Sequence, residues 1–382
     1  MKTVFITGAT GFLGSYVCDV LLNETDAELA VLTRAKDRAD FEKKMWNALQ
    51  LHMTAERFWQ VIDRVRFVRG DLTAPGLGMS AEDRAFLVEN AESVLHIAAS
   101  LNRKSEKACL NHNLRGTLAV IKLAQEIDAH HGLRRFSHVS TTAVAGHRFA
   151  ETVTEDEAID WDRSDYDPYA RTKKFCEHMV RELLPNVQKT IFRPSTVMGD
   201  SRFPETSQFD MVRAFATLVD LPVVPFSGHV REDIVNADWV GRCIATIHMK
   251  PNPKYDCYHL SNGTGSVTAL EIAQTIHKKS GRRVPLFVPA LEGPFESIMD
   301  QLASLKQRNT AQLVGSLFKV FLPYITFDTI LDNSRAIEET GTRPVPFTAY
   351  CADLYAWVKK HDFKYPYRPL PPRPTQDRMA AE

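Results

Sequence analysis

The chain holds 382 residues, with 47 basic and 47 acidic side chains and a formal net charge of zero. That balance excludes a general nucleic-acid binder, whose affinity needs an excess of basic charge, while the length allows one large domain or two modest ones. Six cysteines stand far apart with no CxxC pair, which predicts free thiols in a reducing compartment, with neither a disulfide frame nor a metal site.

The first apolar run, TVFIT (3–7), is too short for a signal peptide and is interrupted at once by glycine. It reads as a buried strand leading through TGATGFLG into a helical pattern. Similar runs follow at ELAVLT (28–33), VRFVRG (65–70), SVLHIAA (93–99), RFSHVST (135–141) and KTIFRPS (189–195). Amphipathic segments such as NLRGTLAVIKLAQEIDAHH (113–131) separate them. Strand alternating with helix predicts an α/β fold of Rossmann type, a doubly wound parallel sheet with right-handed crossovers and helices on both faces. No repeat at solenoid periods interrupts it.

After about Gly199 the alternation breaks down. Residues 200–230 read as loop and helix, DIVNADWVGRCIATI (233–247) as a strand leading into a helix, and YDCYHLSNG (255–263) as one more strand. From Thr268 onward the pattern is helical and irregular. This predicts a nucleotide-binding domain of residues 1–199 plus about 231–263, and a smaller, mostly helical substrate region of about 200–230 plus 264–365. Residues 366–382, which include RPLPPRPTQDRMAAE, are expected to form a flexible tail or an extended proline-rich arm. The apolar stretch LVGSLFKVFLPYITF (313–327) is broken by Lys319 and Pro323 and is too short to span a bilayer. A soluble, cytoplasmic protein is expected, with this stretch a core or lid helix in preference to a peripheral membrane contact.

Gly8, Gly11 and Gly14 follow the first strand and open the first helix. The first permits a tight turn, the second a close approach of backbone to pyrophosphate, and the third close packing of helix on strand. The helix N-terminus adds unpaired N–H groups and a positive dipole end. Thr10, Phe12 and Leu13 belong to the same loop and count as cofactor contacts.

After the second strand an NAD ribose is normally met by Asp or Glu. Here Arg34 stands in that place, followed by Lys36 and Arg38, which suits a 2′-phosphate and predicts NADPH. Asp71 and Leu72 in VRGDL follow the third strand, where a carboxylate meets an adenine amino group. Ala98 and Ala99 in HIAA let a dinucleotide lie against the backbone after the fourth. Asn113 is placed to tie a helix to the neighbouring strand and counts as a cofactor contact. In FRPSTVMG (192–199), Pro194, Ser195 and Val197 are candidates to line the nicotinamide, with Arg193 either beside them or structural.

YARTK (169–173) puts Tyr169 and Lys173 on one helix face. A phenol titrates near 10, and a nearby ammonium lowers that value toward useful proton exchange. The same lysine can hydrogen-bond the nicotinamide ribose. Thr141, at the carboxyl end of the fifth strand, offers a hydroxyl to a substrate carbonyl, with Ser140 and Thr142 as neighbours that spacing does not separate from it. His130 and His131 suit a helix C-terminus rather than a metal, and the acidic run from Glu151 to Asp167 reads as a solvated loop.

Taken in order, TGxxGFLG, GDL, HxAA, NxxGT, ST and YxxxK resemble an extended short-chain dehydrogenase/reductase. Within that superfamily, TGATGFLGSYV, VLTRAKD, VRGDLTAPGLGMS, HVSTTAV and FRPSTVMGDS are similar to the thioester reductases. These include fatty acyl-CoA reductases and the terminal reductase domains of carboxylic acid reductases and peptide synthetases. The resemblance implies NADPH-dependent reduction, in lipid metabolism, of an acyl-CoA or acyl-carrier protein to the aldehyde or the alcohol, with Thr141, Tyr169 and Lys173 catalytic. Thr172 stands where many members have Ser. The chain has no adenylation or carrier domain, so the thioester is expected on CoA or a separate carrier. The rival readings are an NADP-dependent carbonyl reductase or sugar-nucleotide epimerase of the same fold, and a non-catalytic NADP sensor.

Overall fold

A computed structural model of the protein describes residues 3–305 and 309–374. Seven strands build the main sheet: β1 (Thr3–Thr7), β2 (Glu28–Thr33), β3 (Val65–Arg69), β4 (Ala91–His96), β5 (Arg135–Val139), β6 (Lys189–Pro194) and β7 (Cys257–Leu260). Their spatial order is β7-β6-β5-β4-β1-β2-β3 and every pairing is parallel. Strands covered on both faces need near-continuous apolar runs, and β1 and β5 are buried along their whole length. The order reverses between β1 and β4, the place where ligands bind in open α/β sheets.

Helices α1 (Phe12–Glu24), α2 (Gly116–His131) and α3 (Pro168–Leu183) connect these strands. The apolar side of α1 joins one core with Val240 and Ile244, while Val120 and Leu123 of α2 join Val180 of α3 in the core on the opposite face. Beyond β6 come α4 (Asp210–Asp220), α5 (Ala237–Met249), α6 (Ala269–Ser280), α7 (Glu292–Ala303), α8 (Thr310–Ile325) and α9 (Ser334–Thr340). Val212 and Phe215 of α4, Ile272 and Ile276 of α6, and Leu354 and Val358 form a separate apolar core.

Arg193, on β6, is structural. Its guanidinium meets both oxygens of Glu177 on α3, at 2.7 to 3.2 Å, and donates to the Glu155 carbonyl at 2.8 Å. Both side chains are buried.

Two segments differ from their expected places. α9, expected in the substrate region, packs beside α5 and β7. The Glu339 carboxylate causes this: it accepts the Tyr258 hydroxyl at 2.7 Å and the Lys254 N–H at 2.7 Å, and pairs with Lys250. The expected flexible tail is, over residues 366–374, the arm that proline content favours. It is held at Arg368, whose carbonyl accepts from Trp46 Nε1 at 3.0 Å and whose N–H donates to Gln50 Oε1 at 2.7 Å. Residues 375–382 lie outside the described residues.

The apolar stretch 313–327 lies largely in α8, with Phe318, Leu322 and Ile325 buried. Among the described residues no helix is long and apolar enough to cross a membrane.

Candidate active site

The turn between β1 and α1 admits only glycine at two points. Gly8 has φ +82°, and a Cβ there would sit 2.6 Å from the Ala98 nitrogen. A Cβ at Gly14 would lie 2.0 Å from the Gly8 carbonyl oxygen. Gly11 caps α1 with no side chain, so the first-turn N–H groups remain for a ligand.

Above this turn, along the carboxyl ends of the strands, runs a cleft of about 450 Å³. Gly8, Thr10, Gly11, Phe12, Leu13, Arg34, Ala98 and Ala99 line one part, and Thr141, Tyr169, Lys173, Pro194, Ser195 and Val197 another. It continues into a pocket of about 220 Å³ walled by Arg34, Asp71 and Leu72. The glycine cradle, the open helix end and this length fit an extended dinucleotide.

Among the three bases after β2, the structure separates roles that spacing could not. The Arg38 guanidinium bonds the Val65 and Ile62 carbonyls at 3.0 and 3.3 Å. Arg34 is exposed and, among the described residues, makes no ion pair. Asp71 accepts the Thr73 N–H and hydroxyl at 2.8 and 2.7 Å; the backbone bond, first among several causes, holds its carboxyl below the usual range.

Asn113, expected as a cofactor contact, lies behind the cleft wall. Its amide is fully engaged: Oδ1 accepts the Ser100 N–H at 2.7 Å, and Nδ2 donates to the Ser100 carbonyl and the Thr172 hydroxyl, each at 3.2 Å. It therefore ties the helix start to the loop after β4 and positions α3.

α3 begins where Pro168 suits a first turn and the Asp167 side chain caps it by accepting the Ala170 N–H at 2.8 Å. Tyr169 and Lys173 enter the cleft one turn apart, 6% and 2% exposed. The Lys173 ammonium donates to the Val139 carbonyl at 2.6 Å, and burial pushes its pKa down.

The cation acting on Tyr169 is a different one. Arg103, from the loop after β4, places its guanidinium carbon 4.7 Å from the Tyr169 ring centroid and 4.3 Å from that of Tyr324. It also meets Asp167 at 3.2 Å, and Asp167 accepts the Tyr324 hydroxyl at 2.7 Å. Burial raises the Tyr169 pKa, while the Arg103 charge and then the Thr141 hydroxyl pull it back down. Sequence spacing gave no sign of Arg103 or Tyr324, which lie 66 and 155 residues from Tyr169.

Ser140, Thr141 and Thr142 all border the cleft. The Thr141 hydroxyl acts on the phenol, and its Oγ1 also accepts the Ala143 N–H at 3.2 Å. Asp233, another residue unmarked by motif, faces the same cleft and accepts the Ser195 hydroxyl at 2.8 Å. Burial pushes its carboxyl up to about 6.

Residues 6–244 match the NAD-binding family described as Male sterility protein. The fatty acyl-CoA reductase wat of Drosophila melanogaster is 28% identical over 235 residues, covering 55% of this chain and 45% of that protein. The chain thus spans about half the length of the curated relatives it matches first. The terminal R domain of the myxalamid PKS-NRPS pathway superposes with a TM-score of 0.78 at 25% identity, over 95% of this chain and 92% of that one. A UDP-glucuronic acid 4-epimerase from Bacillus cereus, solved with NAD, shares the fold: its TM-score is 0.64 at 20% identity, over 95% of this chain and 100% of that one. With the glycine turn, the switch-point cleft and this match over more than half its length, the chain belongs to the male sterility protein family, an extended short-chain dehydrogenase/reductase of the group that holds the fatty acyl-CoA and thioester reductases.

Proposed function

We propose that the protein is an NADPH-dependent reductase of acyl thioesters, carried on CoA or a carrier protein, that forms the aldehyde and then the alcohol. The observation that carries this reading is a narrow apolar cavity of about 80 Å³ that adjoins the cleft holding Thr141, Tyr169 and Lys173. The two share Thr196, Met211 and Tyr324 as walls. Its apolar walls suit the first part of an acyl chain whose carbonyl stays in the cleft. The likeness to the fatty acyl-CoA reductase and to the R domain supports the same chemistry.

When bound, the reduced nicotinamide supplies a hydride to the thioester carbon. Thr141 and Tyr169 donate hydrogen bonds to the carbonyl oxygen as it gains charge. Tyr169 then gives its proton to that oxygen, completing a hemithioacetal. Breaking the C–S bond expels the thiolate, which takes up a proton, and leaves the aldehyde as the hydroxyl returns its proton to Tyr169. Arg103 offsets part of the rise in pKa that burial imposes on the phenol, and Lys173, steered by Val139, would hold the nicotinamide ribose. A second round at the aldehyde uses the same groups.

What supports NADPH over NADH is the unpaired Arg34 at the end of β2. Arg34→Ser should raise KM for NADPH by about ten- to a hundredfold and leave that for NADH nearly unchanged, measured as initial rates with each cofactor. Equal losses with both would contradict that role.

Arg103→Met should lower kcat by about ten- to a hundredfold. Loss of the cation favours the neutral phenol, so the ionisation assigned to Tyr169 in the kcat–pH profile should move upward. An unmoved profile would make Arg103 a packing residue only.

The reading is tested by NADPH oxidation with a series of acyl-CoA and carrier-bound thioesters, free thiol being counted in parallel. One NADPH per thiol marks an aldehyde product and two an alcohol. NADPH oxidation with ketones but no thioester would favour a carbonyl reductase.

A further inference from the structure

We propose that the apolar cavity beside the cleft accepts an acyl chain bearing a hydroxyl group, which hydrogen-bonds to Glu232. The inference rests on the thioester reading only for where the chain is attached.

Residues 231–235 form an extended segment whose side chains alternate between two cavities. Ile234 and Val235 pair with Thr196 and Val197, and Arg231 and Glu232 with Thr268 and Val267. Asp233 faces the cofactor cleft, where Ser195 and the Asn262 N–H, each at 2.8 Å, satisfy one of its oxygens. Glu232 turns the other way and lines the apolar cavity, only 8% exposed.

The walls around it are Phe215, Leu218, Phe226, Ile272, Ile276 and Phe287. Among the described residues, no hydrogen bond or ion pair reaches its carboxyl group. Arg282, on the cavity rim, is held by Asp220 at 2.9 Å.

A carboxyl group that faces an apolar cavity favours a ligand that supplies a hydrogen-bond partner. Burial, and next the Asp328 charge, push its pKa well above the usual carboxylate range, which favours the neutral acid. A neutral carboxyl group offers one donor and an acceptor. A hydroxyl pairs with both, whereas a plain hydrocarbon chain would leave both unmet. The cavity thus joins apolar walls for methylenes to a carboxyl group set among them, with His277, Arg282 and Arg283 also in its lining, a pattern that suits selection by a hydrogen bond.

The test uses the whole chain and free ligands, so it does not depend on turnover. Medium-chain carboxylic acids, each with one hydroxyl moved carbon by carbon, are titrated calorimetrically beside the unsubstituted acid and its amino analogue. At one or two chain positions the hydroxy acid should bind about tenfold or more tighter than the unsubstituted acid. Glu232→Leu should reverse that order, and Glu232→Gln should keep it. The proposal is overturned if the unsubstituted acid binds as tightly at every position, if nothing binds, or if the amino analogue wins and Glu232→Gln loses it. Tight hydroxy-acid binding with every thioester inert would instead count against the thioester reading and leave the cavity's preference standing.

Discussion

Replacing Tyr169 by phenylalanine should lower NADPH-dependent turnover by about a thousandfold while the protein still binds NADPH. The phenol lines the cleft beside Thr141, with the Arg103 guanidinium over its ring, and is assigned the proton transfer to the substrate oxygen. The substitution removes a single oxygen and keeps the ring that Arg103 covers, so packing and the glycine cradle stay as they are. Thr141 would still stabilise the oxyanion, which is why some rate should remain. The check is a pair of measurements on one preparation, steady-state oxidation of NADPH and fluorescence titration of cofactor. Turnover near the parent's would remove Tyr169 from the mechanism.

Glu177→Ala should cost about 3–5 kcal/mol of stability, the price of leaving a buried guanidinium unpaired. Arg193 and Glu177 are each 1% exposed, and three N–H···O contacts join them. The loss should appear as a lower urea midpoint with an unchanged slope. Since Arg193 immediately precedes Pro194 and Ser195 in the cleft wall, cofactor affinity should weaken as well. Removing both partners together, as Glu177→Leu with Arg193→Met, should recover part of the stability, because no lone charge then remains. A Glu177→Ala loss below about 1 kcal/mol would mean that water replaces the carboxylate, contrary to the burial.

The sheet was legible because its strands are covered on both faces. ELAVLT and KTIFRPS had to be nearly all apolar in their centres, and a glycine turn marks the sheet's first crossover. Tyr169 and Lys173 were legible because helical spacing puts them on one face, and Arg34 because it stands where an acid is otherwise needed. Arg103 was not: a base in a polar loop has no periodicity, and its place over Tyr169 depends on Asp167 and on Tyr324, which arrive from distant segments. Asn113 was read for its position but not for its bonds, which are spent on Ser100 and Thr172. The place of α9 was hidden for a similar reason, since Glu339 pairs across 81 residues with Tyr258. No motif marked Glu232, which the alternation of 232 and 233 along the chain sets in a different cavity from Asp233.

Transfer of hydride to a thioester carbon is most directly tested with NADPH deuterated at the transferred position. A single turnover with an acyl-CoA or carrier-bound thioester should place deuterium on C1 of the aldehyde, or two deuterium atoms on C1 of the alcohol, with one thiol released per acyl group. Cofactor oxidised without thiol release, or deuterium absent from C1, would contradict the account.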